Sequence, residues 1–147
     1  MGHQGLFWIG VKLFNEGEFF EAHELWEEIW RESEEPDRSF YQGLIQIAVA
    51  LAHLERGNVI GFHRLIDRAE EHLAEFPPAF GGIRLAELRR QVTELAQWVA
   101  AVERNPQPQP EEDRCRPNNG MDDNKLSILS LMSGVKITIE EEAPDQT

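Results

Sequence analysis

Apolar side chains recur every three or four residues through most of the chain, in runs that glycine and proline interrupt. This spacing puts the apolar positions on one face of a helix, and it predicts five amphipathic helices. The predicted helices cover residues 6–15, 18–33, 37–56, 58–76 and 84–104. Gly17 and Gly57 stand where helices commonly end in a left-handed residue, and Pro77-Pro78 and Gly81-Gly82 stop the fourth helix. We therefore expect an all-α fold, a single bundle of about five helices with a flexible C-terminal tail.

The pattern changes after the fifth helix. Residues 105–124 are rich in proline, asparagine and charge, which predicts an extended or disordered linker. Beyond it, apolar and polar positions alternate over residues 135–139, as they would in a strand. We expect a helical domain over residues 1–104, and a Pro-rich linker with a flexible acidic tail over residues 105–147. A segment that docks on a partner, or adds a strand to one, is the alternative for this tail.

Composition narrows the classes of protein to consider. Of the 147 residues 41% are hydrophobic, with four Trp and eight Phe, which is too apolar for a disordered chain. The 27 Asp and Glu outnumber the 14 Lys and Arg, so the formal net charge is −13. Such a chain repels phosphate backbones, and no basic stripe offsets the average, so we expect no nucleic acid partner. The acidity is densest in residues 16–35, which hold nine acids and one Arg.

Compartment signals point to the cytoplasm. Cys115 is the one cysteine, so no internal disulfide can form. The first residues lack the basic region of a signal peptide. The longest apolar stretch without charge, residues 39–54, is shorter than the roughly 20 residues that cross a bilayer. We expect a cytoplasmic protein without a membrane span.

The third predicted helix carries the first candidate site residues. Its apolar residues surround the axis, so it should be buried on nearly all sides. Gln42, Gln46 and His53 nevertheless fall within about 40° of one another at 100° per residue, which makes a polar track along this helix. Buried amides and an imidazole need partners, because leaving one unpaired costs about 1–3 kcal/mol.

The second predicted helix can supply those partners. His23 and Glu27 are four residues apart and share a helix face, with Glu24 beside them. Two histidines and a carboxylate suffice to bind Zn²⁺, Fe²⁺ or Mn²⁺ with an open position for water. His23, Glu27 and His53 are therefore candidate metal ligands, with Glu24 or Glu28 as general base and Gln42 and Gln46 as supporting polar groups.

The same residues also fit a structural role. A hydrogen bond between His23 and Glu27, with the two glutamines satisfying neighbouring groups, would account for them without a metal. The sequence Glu-Ala-His-Glu around His23 lacks the second histidine of the zinc-protease motif.

Two segments carry a family resemblance. Residues 14–27 read Phe-Asn-Glu-Gly-Glu-Phe-Phe-Glu-Ala-His-Glu-Leu-Trp-Glu, and residues 40–48 read Phe-Tyr-Gln-Gly-Leu-Ile-Gln-Ile-Ala. With Trp30, His53 and Gly57-Asn58 they resemble domain of unknown function family 309, over about residues 6–100. The resemblance implies a small all-α bundle and the label of a predicted metal-dependent hydrolase. The chain departs from the family pattern at Ala52, where related sequences often have Tyr, and at His63, where a small residue is usual.

Matched by position, the polar residues of that family fall on His23, Glu24, Glu27, Gln42, Gln46 and His53. Two function classes follow. The first is a metal-dependent hydrolase with a His/Glu site between the second and third helices. The second is a non-enzymatic module, resembling tetratricopeptide hairpins, that binds a small-molecule or protein ligand. A homo-oligomer is compatible with either class.

Overall fold

The computed structural model describes residues 3–104, 130–132 and 134–139. Five helices of at least seven residues and one short strand pair make up most of this part of the chain, which confirms the all-α fold class. In chain order they are α1 (His3–Asn15), α2 (Phe19–Glu32), α3 (Asp37–Glu55), α4 (Val59–Leu73), β1 (Ala79–Phe80), β2 (Ile83–Arg84) and α5 (Leu85–Arg104). Among the described residues, no helix combines the length and apolar character needed to cross a membrane.

The first four helices form two hairpins, α1–α2 and α3–α4. The same turn occurs in both, at Gly17 in the first and at Gly57, 40 residues later, in the second. Both glycines have positive φ, 87° and 83°, which L side chains rarely adopt. Each donates its N–H to the carbonyl three residues back at 3.0 Å, and the next residue donates to the carbonyl five residues back at 2.8 Å. Buried positions repeat as well. The pairs related by the same offset are Ala22 and Phe62, Trp26 and Ile66, and Ile29 and Ala69.

Helix α3 is the centre of the bundle, packed between α2 and α4. Its apolar residues are buried around most of its circumference, as the sequence predicts. Gly43 lets α4 approach closely, since a Cβ there would lie 2.5 Å from Cγ of the fully buried Leu73. On the other side Trp26 is fully buried, and its indole N–H donates to the Phe7 carbonyl at 3.3 Å.

Helix α4 ends at Leu73, three residues before the predicted end. Phe76 instead closes a turn by donating its N–H to the Leu73 carbonyl, and its ring lies 4.7 Å from that of Phe80. A two-residue hairpin follows, with Gly81 and Gly82 at φ 63° and 84° in the turn. Two positive φ values are what a tight hairpin turn with right-handed strand twist requires. Sequence reasoning treated these glycines only as a helix stop.

Residues 134–139 lie extended against the bundle. Ile139 forms an antiparallel bridge with Ile83, and the Arg84 N–H donates to the Thr138 carbonyl at 2.8 Å. Val135 and Ile137 are 4% and 3% exposed. The alternate apolar side chains of these residues are buried and their backbone is paired. The flexibility of the tail as a whole stays a prediction. The predicted linker, residues 105–124, lies outside the described residues, and the division of the chain at residue 104 stays a prediction.

Candidate functional site

His23 and Glu27 form the pair that the helical spacing predicts. The His23 Nδ1 lies 2.5 Å from the Phe20 carbonyl oxygen, which can only accept, so Nδ1 carries the proton and donates. The Nε2 atom then faces Glu27, at 3.9 Å from its Oε1. The imidazole is 13% exposed and lies against the Phe20 ring, with centroids 4.7 Å apart. A backbone carbonyl that fixes the tautomer in this way is also common behind metal-binding histidines.

His53 is committed to a different partner. The Asn58 Oδ1 accepts the Gly61 N–H at 3.0 Å and so caps α4, which orients the amide with Nδ2 towards His53. That Nδ2 lies 3.1 Å from the His53 Nδ1, which therefore accepts. The lone pair of Nδ1 is used in this bond, and in the neutral ring the other nitrogen carries the proton. His53 thus links the end of α3 to the start of α4.

Carboxylates also meet at the end of the bundle near His53. Burial raises the pKa of Glu55, the nearby Glu18 carboxylate raises it further, and Arg56 opposes the shift. The Arg56 guanidinium in turn lies 5.9 Å from the Phe20 ring centroid. The start of α2 and the end of α3 therefore lie side by side, as two antiparallel neighbours should.

The polar residues along α3 do not form one site, because Gln42 and His53 lie at opposite ends of the helix. Gln42 and His53 are separated by about 16 Å along the axis, at about 1.5 Å per residue, so they cannot serve one ion. Gln42 lines a groove at the opposite end of α3. Gln46 is 8% exposed, and its Oε1 has no hydrogen-bond donor in the described part of the chain.

The predicted three-ligand set is not assembled. Across residues 3–104, 130–132 and 134–139, no three His, Cys, Asp or Glu side chains are grouped to hold a metal ion. His23 and Glu27 are adjacent, whereas His53 hydrogen-bonds to Asn58. Glu24 is exposed beside the pair. Of the metal centre that the family label implies, the structure brings together only His23 and Glu27.

The structure shows a groove that sequence reasoning missed. It runs where the α2–α3 connection and the start of α3 meet the end of α4, and we call it the α3–α4 groove. One part is a cavity of about 500 Å³ and the adjoining part is a cavity of about 370 Å³. Both are lined by Glu35, Ser39 and His72. Its other lining residues include Trp30, Arg38, Gln42, Glu71, Glu75, Phe76 and Phe80.

The walls of the α3–α4 groove combine aromatic rings with carboxylates. The Arg38 guanidinium carbon lies 4.0 Å from the centroid of the Trp30 ring, and Nη1 donates to the Trp30 carbonyl at 3.0 Å. Glu35 is held by Ser39, whose N–H donates to Oε1 at 2.7 Å. Glu71 lines the groove from α4 and Glu75 from the turn that follows it, so the carboxylates of the lining outnumber its one arginine.

The chemistry of this lining favours a cationic group. Aromatic faces attract cations by about 0.5–2 kcal/mol, and carboxylates add Coulombic attraction. Pro36 and Pro77 mark the chain turns beside the groove. These two prolines are the features of the sequence that indicate a turn at each position. Spacing along the chain does not show that the two turns lie side by side.

Comparison with known proteins finds a family model that matches the helical hairpins. Residues 7–65 match the family model described as domain of unknown function (DUF309). An uncharacterized protein of Aquifex aeolicus (strain VF5) is 35% identical over 83 residues, which are 56% of this chain and 25% of that protein. The uncharacterized protein YpuF of Bacillus subtilis (strain 168) is 37% identical over 90 residues, 57% of this chain and 52% of that protein.

The chain therefore spans between a quarter and about half of the length of these relatives. The family match begins in α1 and ends within α4, so it covers both helix hairpins and the turns at Gly17 and Gly57. The β1–β2 hairpin, α5 and the extended residues 134–139 lie outside it. The resemblance seen in the sequence is thus confirmed over residues 7–65, which match the model of domain of unknown function family 309.

Proposed function

We propose that this protein is a non-enzymatic binding module built from two stacked helix hairpins. The observation that carries the proposal is the repeated turn, in which Gly17 and Gly57 have the same backbone conformation and the same hydrogen bonds. Helices α1 to α4 pack chiefly on their neighbours in sequence. Repeat proteins are assembled in this way, and they use the grooves between repeats to bind other molecules.

The ligand surface in this proposal is the α3–α4 groove. Its size, about 500 Å³ for the larger part, is within the range of small-molecule and side-chain pockets. Glu35, Glu71 and Glu75 supply negative charge, while Phe76 and Phe80 supply aromatic surface. A ligand that carries an amine or guanidinium group matches this lining. A basic side chain of a protein partner is such a group.

A binding experiment with charge-matched variants tests the proposal. Calorimetry with trilysine should show saturable binding, and triglutamate should show none. Glu71→Gln should weaken trilysine binding by about fivefold or more, because it removes one groove carboxylate at an effective dielectric near 20. Glu28→Gln removes the same charge from an exposed position on α2 and should leave affinity nearly unchanged. Equal losses in the two variants would show that only the net charge of −13 attracts the probe.

A metal-dependent hydrolase is the second candidate, and the His23–Glu27 geometry favours it. The Nε2 of His23 is the unprotonated nitrogen of the neutral ring, and it lies 3.9 Å from a Glu27 oxygen. Two such ligands hold an ion only with further ligands from water or substrate. Glu24, exposed beside them, is the candidate base.

Metal analysis separates the two candidates. After Zn²⁺, Fe²⁺ or Mn²⁺ loading and dialysis, the hydrolase candidate requires stoichiometric metal in the native chain and its loss in His23→Ala. His53→Ala is the matched control. It should retain the metal, because the His53 Nδ1 accepts from Asn58 and the other nitrogen of the neutral ring carries the proton. Native protein that retains no metal, or equal retention in all three proteins, would reject the candidate and leave the binding module.

A further inference from the structure

A second cleft lies between α1, α5 and β2, and residues 134–139 occupy it. It shares no lining residue with the α3–α4 groove. On the α1 side, Asn15 accepts the Ile137 N–H at 2.7 Å and donates to the Ile137 carbonyl at 3.0 Å. On the α5 side, Gln91 accepts the Lys136 N–H at 2.8 Å and donates to the Lys136 carbonyl at 3.2 Å. Two carboxamide side chains thus each hold both polar groups of one backbone residue.

The two side-chain amides bond to the segment as neighbouring strands would bond to the central strand of a sheet. Successive residues of an extended chain point their N–H and C=O groups in opposite directions. Ile137 accordingly faces Asn15, while Lys136 and Thr138 face the other way, towards Gln91 and Arg84. These bonds recognise the backbone of the segment, whatever its side chains. Selection of the sequence is left to the apolar positions and to Lys136, whose Nζ donates to the Asn15 carbonyl.

The apolar positions occupy buried sites two residues apart. Val135 and Ile137 are 4% and 3% exposed, whereas Lys136 between them is exposed. The cleft also extends beyond the segment. A cavity of about 530 Å³ remains between α5 and residues Leu131, Gly134 and Val135, with Leu95 and Trp98 in its wall. The segment therefore leaves apolar surface of α5 that a longer ligand could cover.

We propose that this cleft is a peptide-binding site for an extended segment with apolar side chains two residues apart. The chain's own residues 134–139 are its tethered occupant. A tethered ligand competes with free ligands at an effective concentration on the order of millimolar. The segment thus keeps the site closed to free peptides until it is released.

The test uses the full chain with its own segment released. Val135→Asp with Ile137→Asp places charges at both buried positions, which prevents docking without changing the cleft. A fluorescein-labelled peptide of residues 130–139 is the probe, and anisotropy is the readout. The released variant should bind the probe at least about tenfold more tightly than the native chain does, because the native segment competes for the site. A peptide with the apolar pattern shifted by one residue should not bind, because it would direct its apolar side chains to solvent.

Three results would overturn the proposal. In the first, the released variant is helical but does not bind the probe. In the second, the native chain and the released variant bind the probe with equal affinity. In the third, the released variant binds the shifted peptide as tightly as the probe. If the released variant loses its helical circular dichroism, Gln91→Ala in the native chain decides instead. Exchange of the Lys136 amide hydrogen should then accelerate about tenfold or more, with α3 amides unchanged. An unchanged Lys136 rate would reject the role of Gln91 and with it the site.

Discussion

The contact between Gly43 and Leu73 gives a quantitative test of how α3 and α4 pack. A Cβ at position 43 would lie 2.5, 2.6 and 3.0 Å from Cγ, Cδ2 and Cδ1 of Leu73, which is fully buried. Overpacking of this kind costs about 1–3 kcal/mol. Replacing a helical glycine by alanine returns about 1 kcal/mol. Gly43→Ala should therefore lower the free energy of unfolding by up to about 2 kcal/mol.

The second substitution separates these two effects. Leu73→Ala alone should cost about 2–5 kcal/mol, because it removes a buried side chain and leaves a cavity. In that background the methyl group of Gly43→Ala has room, so the same change should stabilise the protein by about 1 kcal/mol. Urea denaturation followed by circular dichroism measures all four proteins of the cycle. Additive effects, with Gly43→Ala equally harmful in both backgrounds, would refute the close approach of the two helices.

Three further predictions concern surface and capping groups. Because the pKa of Glu55 is raised from 4.5 by burial and by Glu18, Glu55→Gln should raise the melting temperature slightly at pH 7. The gain should disappear below pH 4.5, where the carboxyl is protonated in the folded and unfolded states. Asn58→Ala should cost about 0.5–2 kcal/mol in chemical denaturation through loss of the α4 cap, and Asn58→Asp should recover most of it. Arg89→Ala should cost about 1 kcal/mol through loss of the two bonds to Glu70, and the loss should shrink in high salt.

The helices could be predicted because they depend on local pattern. Apolar spacing identified all five, and Gly57 with Asn58 marked the boundary between α3 and α4 correctly. The end of α4 was misplaced because Phe76 packs on Phe80 in a turn, which is a tertiary contact. The alternating pattern of residues 135–139 indicated a strand. It could not show that Ile83 pairs with Ile139.

The candidate site divides in the same way. The contact between His23 and Glu27 follows from spacing on one helix, and the structure has it. The hydrogen bond of His53 depends on which amide atom of Asn58 faces it. That orientation is fixed because the Asn58 Oδ1 caps the following helix. The α3–α4 groove needs two chain turns to lie side by side, which no pattern within one helix reports.

The two hairpin turns and the docked segment differ greatly in the length of chain between the residues that they bring into contact. Each hairpin turn joins residues within six positions, whereas the bond between Asn15 and Ile137 spans 122 positions. Helix formation takes about 0.1–1 μs, while contacts distant in sequence slow folding because loop closure opposes them. The hairpins should therefore form first and residues 134–139 dock last. During refolding, there is then an interval in which the helices are complete and the cleft still lacks its strand.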